Sequence, residues 1–464
     1  MTTGVFEVYP GELDIARALC VGAFKLIDQL ANPSLDDYAA LIHNAKTKKS
    51  LGVIASETRD ILVECLSHTF SQSWGIQRTD RFLQTFLINP VIQAGPHHRL
   101  AFDDDFSSTL AFSLRGCELI GEDSQIFFNC STVTLEEHSH RGPAWLRFDN
   151  FPYRIFDIPR RRLSKKSIGE YRSPVGLSSD IQAWMATYIP DFYVEDRLAK
   201  QRVTASTHIN NINECVYERV WRGHGIAIRS VQEKFFASYA AELLSRPTFF
   251  RRIVEDGRLS KMAKDLILLA KGPLGPFIPV GTDLFWTSVD GRVRPLTIQD
   301  NCLSSERYRM RFDLQPDVLA KHLRLGNLVP GLFVIFLIGS LLPCVRFLGG
   351  SYQTLYHEVF RDIFLKNLDS NSSEEYEVIR DISARSLVAW GHDVIKKNFW
   401  HMVAGDGQGK LFFDFTGWHK PLVEMSDNYA SFTDNFRWSN LAQTLEILDA
   451  EEYSTLIRAE GGFR

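Results

Sequence analysis

No Cys-x-x-Cys pair occurs in this 464-residue chain, and its seven cysteines are odd in number and widely spaced. That pattern argues against a zinc ribbon or a disulfide scaffold and fits a reducing, cytoplasmic setting. A dominant charge is missing too. Lys and Arg total 52 against 56 Asp and Glu, a net charge of −4, so bulk electrostatics give no reason to expect a nucleic-acid partner. Long apolar runs are scarce. Only Leu325 to Val345 approaches the length that crosses a bilayer, about 20 residues. Asn327, Pro330, Gly331, Gly339, Ser340 and Pro343 interrupt it, which predicts a buried core segment, a soluble protein and no membrane partner. The opening MTTGVFEVYPGELD has no basic stretch followed by an apolar core, so no secretory signal is expected. Internal repeats, low-complexity tracts and a complete catalytic motif are likewise absent from the sequence.

What is present is an ordinary globular composition, 45% hydrophobic and 23% charged, with a clear change of texture along the chain. Residues 1–90 read as a helical region: ELDIARALCVGAFKLIDQL, Ser56 to Phe70 and Thr79 to Leu87 all carry apolar residues at helical spacing. From Val91, short β-type runs (Gln125 to Thr134, Trp145 to Phe148, Tyr153 to Ile158) alternate with helical ones (Asp180 to Tyr188, Asn211 to Trp221, Val231 to Leu244). The alternation predicts an α/β core with a mainly parallel sheet over 91–365, with a linker at KGPLGPFIP, 271–279. LFWTSVDGRVRPL reads as a hairpin turning at Asp290-Gly291. Region 366–464 reads as helical, 372–398 above all, with a second hairpin in FWHMVAGDGQGKLFFDF.

The strongest local clue to a site is the apolar run ending in Arg346-Phe347-Leu348-Gly349-Gly350 before SYQTLYHEVF. A buried strand leading through glycines to a helix lets the backbone approach a ligand, and first-turn N–H groups favour negative charge. Helical phase puts Tyr352, Leu355, Val359 and Ile363 on an apolar face and gathers Gln353, Tyr356 and His357 on another, beside the glycines. Gly349, Gly350, Gln353 and Tyr356 are therefore candidate ligand contacts, and His357 a candidate proton carrier. His97 and His98 follow an apolar run and a Gly-Pro turn, where α/β sheets place functional loops, and are candidate acid/base groups expected to share one cleft with the glycine turn. Arg160, Arg161, Arg162, Lys165 and Lys166 form the densest positive run, a candidate contact for an anionic ligand or a solvated loop. His138 and His140, two apart, would face one side of a strand and could share a metal. Asp103 to Asp105 is better explained as a solvated turn than as a magnesium site. GDGQGK at 405–410 lacks the first glycine and the final Ser or Thr of a P-loop, and KMAK at 261–264 falls within a helical pattern; neither carries function.

Three landmarks in order resemble the bacillithiol-pathway cysteine ligase family: Ala94-Gly95-Pro96-His97-His98, the hairpin LFWTSVDGRVRPL, and PCVRFLGGSYQTLY, with Pro343, Gly349, Gly350 and Tyr356 at matching positions. The resemblance spans roughly 90–365 and implies a Rossmann-like core with helical additions. Departures are plain: Gln353 replaces an acidic residue, Arg346 and Phe347 stand in place of Ala and Tyr, the Thr-Gly-x-Gln type loop is not intact, and the family's long coiled-coil portion is shortened or absent after residue 365. Together with the glycine turn and the histidine loop, it sets the leading expectation: a small-molecule biosynthetic enzyme of ligase or transferase type joining an amine or thiol compound to an activated partner. The alternative is a non-catalytic ligand-binding or accessory protein; a metal-dependent enzyme centred on His138 and His140 is the third. The sequence indicates neither a cofactor nor an oligomeric state.

Overall fold

The computed structural model describes residues 11–46, 50–95, 99–101, 103–129, 144–148, 151–158, 174–188, 202–278, 284–289, 292–299, 301–395, 403–405, 411–434 and 436–447. Helices α1 (Glu12–Leu19), α2 (Val21–Ile27), α3 (Leu35–His43), α4 (Val53–Trp74) and α5 (Ile76–Ile88) form the N-terminal region, as expected. The first predicted helix is broken at Cys20, and Gly22 N–H, in α2, donates 3.1 Å to Glu358 Oε1. The Ser34 hydroxyl accepts from Asp37 N–H while the Asp37 carboxylate accepts from Ser34 N–H, a reciprocal cap that starts α3.

Five strands make the central sheet: β1 (Val91–Gln93), β2 (Ser124–Asn129), β5 (Ala227–Gln232), β12 (Arg346–Gly349) and β13 (Val388–Trp390). All four pairings are parallel, and the spatial order is β13-β12-β1-β2-β5. Numbered by their order along the chain, the strands lie 3-2-1-4-5 from the β5 edge, and the direction of winding reverses between β1 and β12. Helix α6 (Asp104–Ile120) connects β1 to β2, α8 (Ala205–His224) precedes β5, and α9 (Glu233–Ser245) follows it. The antiparallel pair β3 (Trp145–Phe148) and β4 (Phe151–Arg154) and helix α7 (Ser179–Tyr188) lie between β2 and α8 in the chain. Helices α10 (Phe249–Glu255) and α11 (Arg258–Ala270) come next, the second containing Lys261 and Lys264.

The hairpin expected around Asp290-Gly291 is the antiparallel pair β6 (Phe285–Val289) and β7 (Arg292–Pro295), its turn outside the described residues. Strands β8 (Thr297–Gln299), β9 (Cys302–Ser305) and β10 (Met310–Asp313) form a separate antiparallel sheet before α12 (Pro316–Arg324). The second hairpin is β14 (Val403–Gly405) with β15 (Leu411–Phe413), which gives GDGQGK a hairpin setting; residues 406–410 lie outside the described set. Short helices α16 (Leu422–Met425) and α17 (Ala430–Thr433) and helix α18 (Phe436–Ile447) end the described chain.

Three expectations change. The run 325–345 is not one buried strand: β11 (Leu328–Pro330) is followed by α13 (Leu332–Phe336) and a π-helical turn, Leu337–Leu341, before β12. Residues 328–345 are buried as expected, while Leu325 is exposed. Within 372–398, α15 (Ser373–Ser383) is helical, but 388–390 is edge strand β13, whose short apolar run Leu387-Val388-Ala389-Trp390 suits a strand fully covered on its faces. Segment 271–278 is no loose linker, because Leu274, Phe277 and Ile278 are buried and the Phe277 ring packs 5.3 Å from Tyr352 and 4.8 Å from Trp438. Among the described residues no helix is long and apolar enough to cross a membrane.

Candidate functional site

The carboxyl ends of β1, β12 and β13 lie side by side where the winding reverses, the place at which open α/β sheets leave a crevice. Gln93, the last residue of β1 and fully buried, ties the three ends together. Its Nε2 donates to the carbonyls of Gly95 at 2.7 Å, Leu348 at 3.2 Å and Gly391 at 3.3 Å, while its Oε1 accepts from the Ser113 hydroxyl of α6 at 2.9 Å. Ala94 and Gly95 N–H both donate to Leu348 O, at 2.8 and 3.2 Å, so the chain leaving β1 runs directly beside the glycines that end β12.

Between these segments stands His392, which follows β13. A β-carbon placed on Gly95 would lie 3.0 Å from His392 Cβ, and one on Gly350 would lie 3.2 Å from its Cδ2. His392 therefore packs closely against two glycines, where a larger side chain would press on it. His392 Nδ1 is 2.7 Å from the hydroxyl of buried Thr109 on α6, and the same hydroxyl accepts from Asp393 N–H at 3.3 Å. That contact fixes the orientation of the ring. Asp393 has a left-handed backbone, φ 59°, and its carbonyl accepts from the Ser431 hydroxyl, so the strand turns sharply after Trp390. His392 is half-buried.

Helix α14 (Ser351–Lys366) begins at these strand ends with Gly350 as its N-cap and no side-chain cap. Its first-turn N–H groups give the carboxyl edge of the sheet a partial positive charge. Gln353, 4% exposed, folds over Gly349, where a β-carbon would overlap its carboxamide, and it makes no hydrogen bond among the described residues. The other predicted contacts of α14 point elsewhere. The helix is buried nearly all round rather than on one face, so the polar trio does not emerge together. Tyr356 packs against Phe336 and Phe360. His357 is fully buried, its Nε2 2.9 Å from the Ser340 hydroxyl, which itself donates to Val345 O just before β12 begins. It thus reaches toward the amino end of β12, away from the crevice. Burial, with Arg361 adding to it, lowers its pKa to about 3, so the ring is neutral across the physiological range.

His97 and His98 lie outside the described residues, but both flanks of their segment are anchored. Gly95 is held on Leu348 O, and on the return Asn213 of α8 clamps the chain by accepting from Ala101 N–H at 2.6 Å and donating to Arg99 O at 2.7 Å. Asp103 is not a solvated turn residue: it is buried, pairs with Arg99 at 3.0 Å and accepts from Arg147 N–H at 3.1 Å. His138, His140, Arg160, Arg161, Arg162, Lys165 and Lys166 lie outside the described residues. The residue that sequence reasoning missed is His392. Its signal was present as an apolar run followed by Gly391-His392-Asp393, the same strand-then-glycine pattern used for Gly349, but it was hidden by reading 372–398 as one helix. No family model matches this chain, and no curated protein matches it.

Proposed function

We propose that the chain is a small-molecule biosynthetic enzyme of ligase or transferase type, built on a Rossmann-like core, that joins an amine or thiol compound to an activated partner in the crevice between β1 and β12. The observation that carries this reading is the placement of His392 against Gly95 and Gly350 at the winding reversal, with its Nδ1 edge set by Thr109. In this reading the amine or thiol attacks the activated partner, whose leaving group departs with the bonding electron pair, and His392 accepts the proton that the nucleophile loses. The first turn of α14 and the Gln353 carboxamide hold an anionic or polar group of the ligand. Gly349 leaves room for that carboxamide and Gly350 for the His392 ring, and His97 and His98 remain further candidate acid/base groups. Tyr356 and His357 then support α14 from the core and do not touch the ligand.

A second reading, a non-catalytic ligand-binding protein using the same crevice, is favoured by one observation: His357, the proton carrier expected from sequence, is sequestered. A thermal-shift screen of amino acids, thiols and nucleotides tests both. A ligand at about 100 times its dissociation constant raises stability by about 2.7 kcal/mol. Gly350→Val should abolish that shift by displacing His392 and filling the crevice, and His392→Gln should reduce turnover by about 100-fold or more while the ligand still binds. Ligand binding without turnover in the wild type supports the second reading; an unchanged shift in Gly350→Val removes the crevice as the site.

A further inference from the structure

A cavity of about 170 Å³ lies against the first half of edge strand β5, lined in part by Trp74, Arg78, Tyr217, Glu218, Arg222 and Arg229. It is distinct from the crevice above, since β2 separates β5 from β1 and Ala227 to Arg229 belong to the amino-terminal half of their strand. Trp74 ends α4, and its indole is anchored edgewise on Phe82, with ring centroids 5.3 Å apart. Two guanidinium groups sit over that indole, Arg229 at 4.1 Å and Arg78 at 4.4 Å from its centroid. Arg222, in the last turn of α8, completes the cluster.

The charges do not balance within the cavity. Three arginines face one carboxylate, Glu218, a formal +2 (three minus one). Behind them Glu214 is engaged by Arg229 and by Ser230 N–H at 3.1 Å, which still leaves +1. Arg229 is only 10% exposed in its side chain, and its Nε is buried without a hydrogen-bond partner among the described residues. Gathering like charges around one ring costs energy, as the lowered pKa of Arg78, from burial first and then from Arg229, also indicates. The indole holds the guanidinium groups in place, so little ordering remains when an anion arrives.

We propose that this cavity binds a phosphate group, free or carried as the monoester of a small compound, gripped by Arg78 and Arg222 with the buried Arg229 behind them. Guanidinium forks match the oxygens of phosphate, an anion answers the net positive lining, and a cavity of about 170 Å³ has room for the group. Calorimetric titration of the full chain with inorganic phosphate, and separately with glycerol phosphate, at constant ionic strength tests it. Saturable one-to-one binding is expected, weakened about tenfold in Arg222→Gln and further in the Arg78→Gln, Arg222→Gln double variant. Both positions are exposed, so these variants should fold. Gly350→Val, which abolishes binding in the crevice, should leave the affinity unchanged, which separates this cavity from the crevice. Tighter binding of glycerol phosphate than of phosphate assigns a monoester; the reverse assigns the free anion. Absence of saturable heat up to about 10 mM of either probe, or equal affinity in the double variant and the wild type, overturns the proposal.

Discussion

His357 shows how one residue's chemistry is decided by what surrounds it. Its ring lies edge-on to Phe336 and against the Ser340 hydroxyl, and His43 is similarly buried, its pKa lowered to about 4 chiefly by burial. For both, the folded pKa lies below the unfolded value of about 6.5. The unfolded chain therefore binds protons first as pH falls. Their contribution to stability is intact above pH 6.5 and is lost progressively toward pH 4 and 3, at about 1.4 kcal/mol per pH unit for each ring. Replacing His357 by Gln should reduce the slope of unfolding free energy against pH by about 1 kcal/mol per unit between pH 6 and 4. Urea denaturation at several pH values measures it, and parallel wild-type and variant profiles would contradict the assignment. His392 belongs to the other class, half-buried and oriented by Thr109.

Among the elements, the turn from α13 into β12 sets the position of everything at the crevice. The π-helical stretch places Gly339 where a β-carbon would stand 2.7 Å from Phe236 Cε1 and 3.1 Å from Phe347 Cζ. Those rings belong to α9 and β12, so the glycine lets a helix and a strand close on one another. Gly339→Ala should lower stability by about 1–3 kcal/mol through overpacking, despite the better helix propensity of alanine. Equilibrium denaturation decides the sign; a variant at least as stable as the wild type would mean that the rings yield freely. Element β13 carries the complementary lesson. Three residues are too few to show a periodicity, so the apolar run before Gly391 did not by itself separate strand from helix, and pairing with Phe347, Leu348 and Gly349 decides it.

For the whole molecule, the N-terminal helices, the sheet and the C-terminal segments share one hydrophobic cluster. The ties are specific. The Tyr38 hydroxyl donates to Trp390 O at 2.8 Å, Arg59 reaches the carbonyls of Pro343 and Cys344 at 2.8 and 2.7 Å, and Leu422 N–H donates to Pro33 O at 2.8 Å. Deleting residues 1–90 should therefore leave 91–464 unable to hold a native core, because Trp390 and the loop before β12 would lose their cover. The expected readout is a fragment that binds ANS and shows no cooperative thermal transition. A sharp transition at the wild-type temperature would show instead that the helices are an accessory.

Periodicity and composition by themselves indicated helices within residues 1–90, an α/β core with a mainly parallel sheet, a buried run over 325–345, which the structure shows for 328–345, and hairpins around DG and GDGQGK, because each of these follows from local spacing of apolar and turn residues. The strand-to-helix turn at Gly349 and Gly350 was legible for the same reason, since a glycine pair after an apolar run is a local signal. Only the tertiary structure decided which strands are neighbours, and with them that Gly95, Gly350 and His392, far apart in the chain, come together. It also turned Tyr356 and His357 inward. Helical phase separates the faces of an isolated helix but says nothing of how many of them are covered, and α14 is packed on nearly every side. Sequence states a residue's chemistry; the choice between ligand contact and core is made by the partners that the fold brings to it.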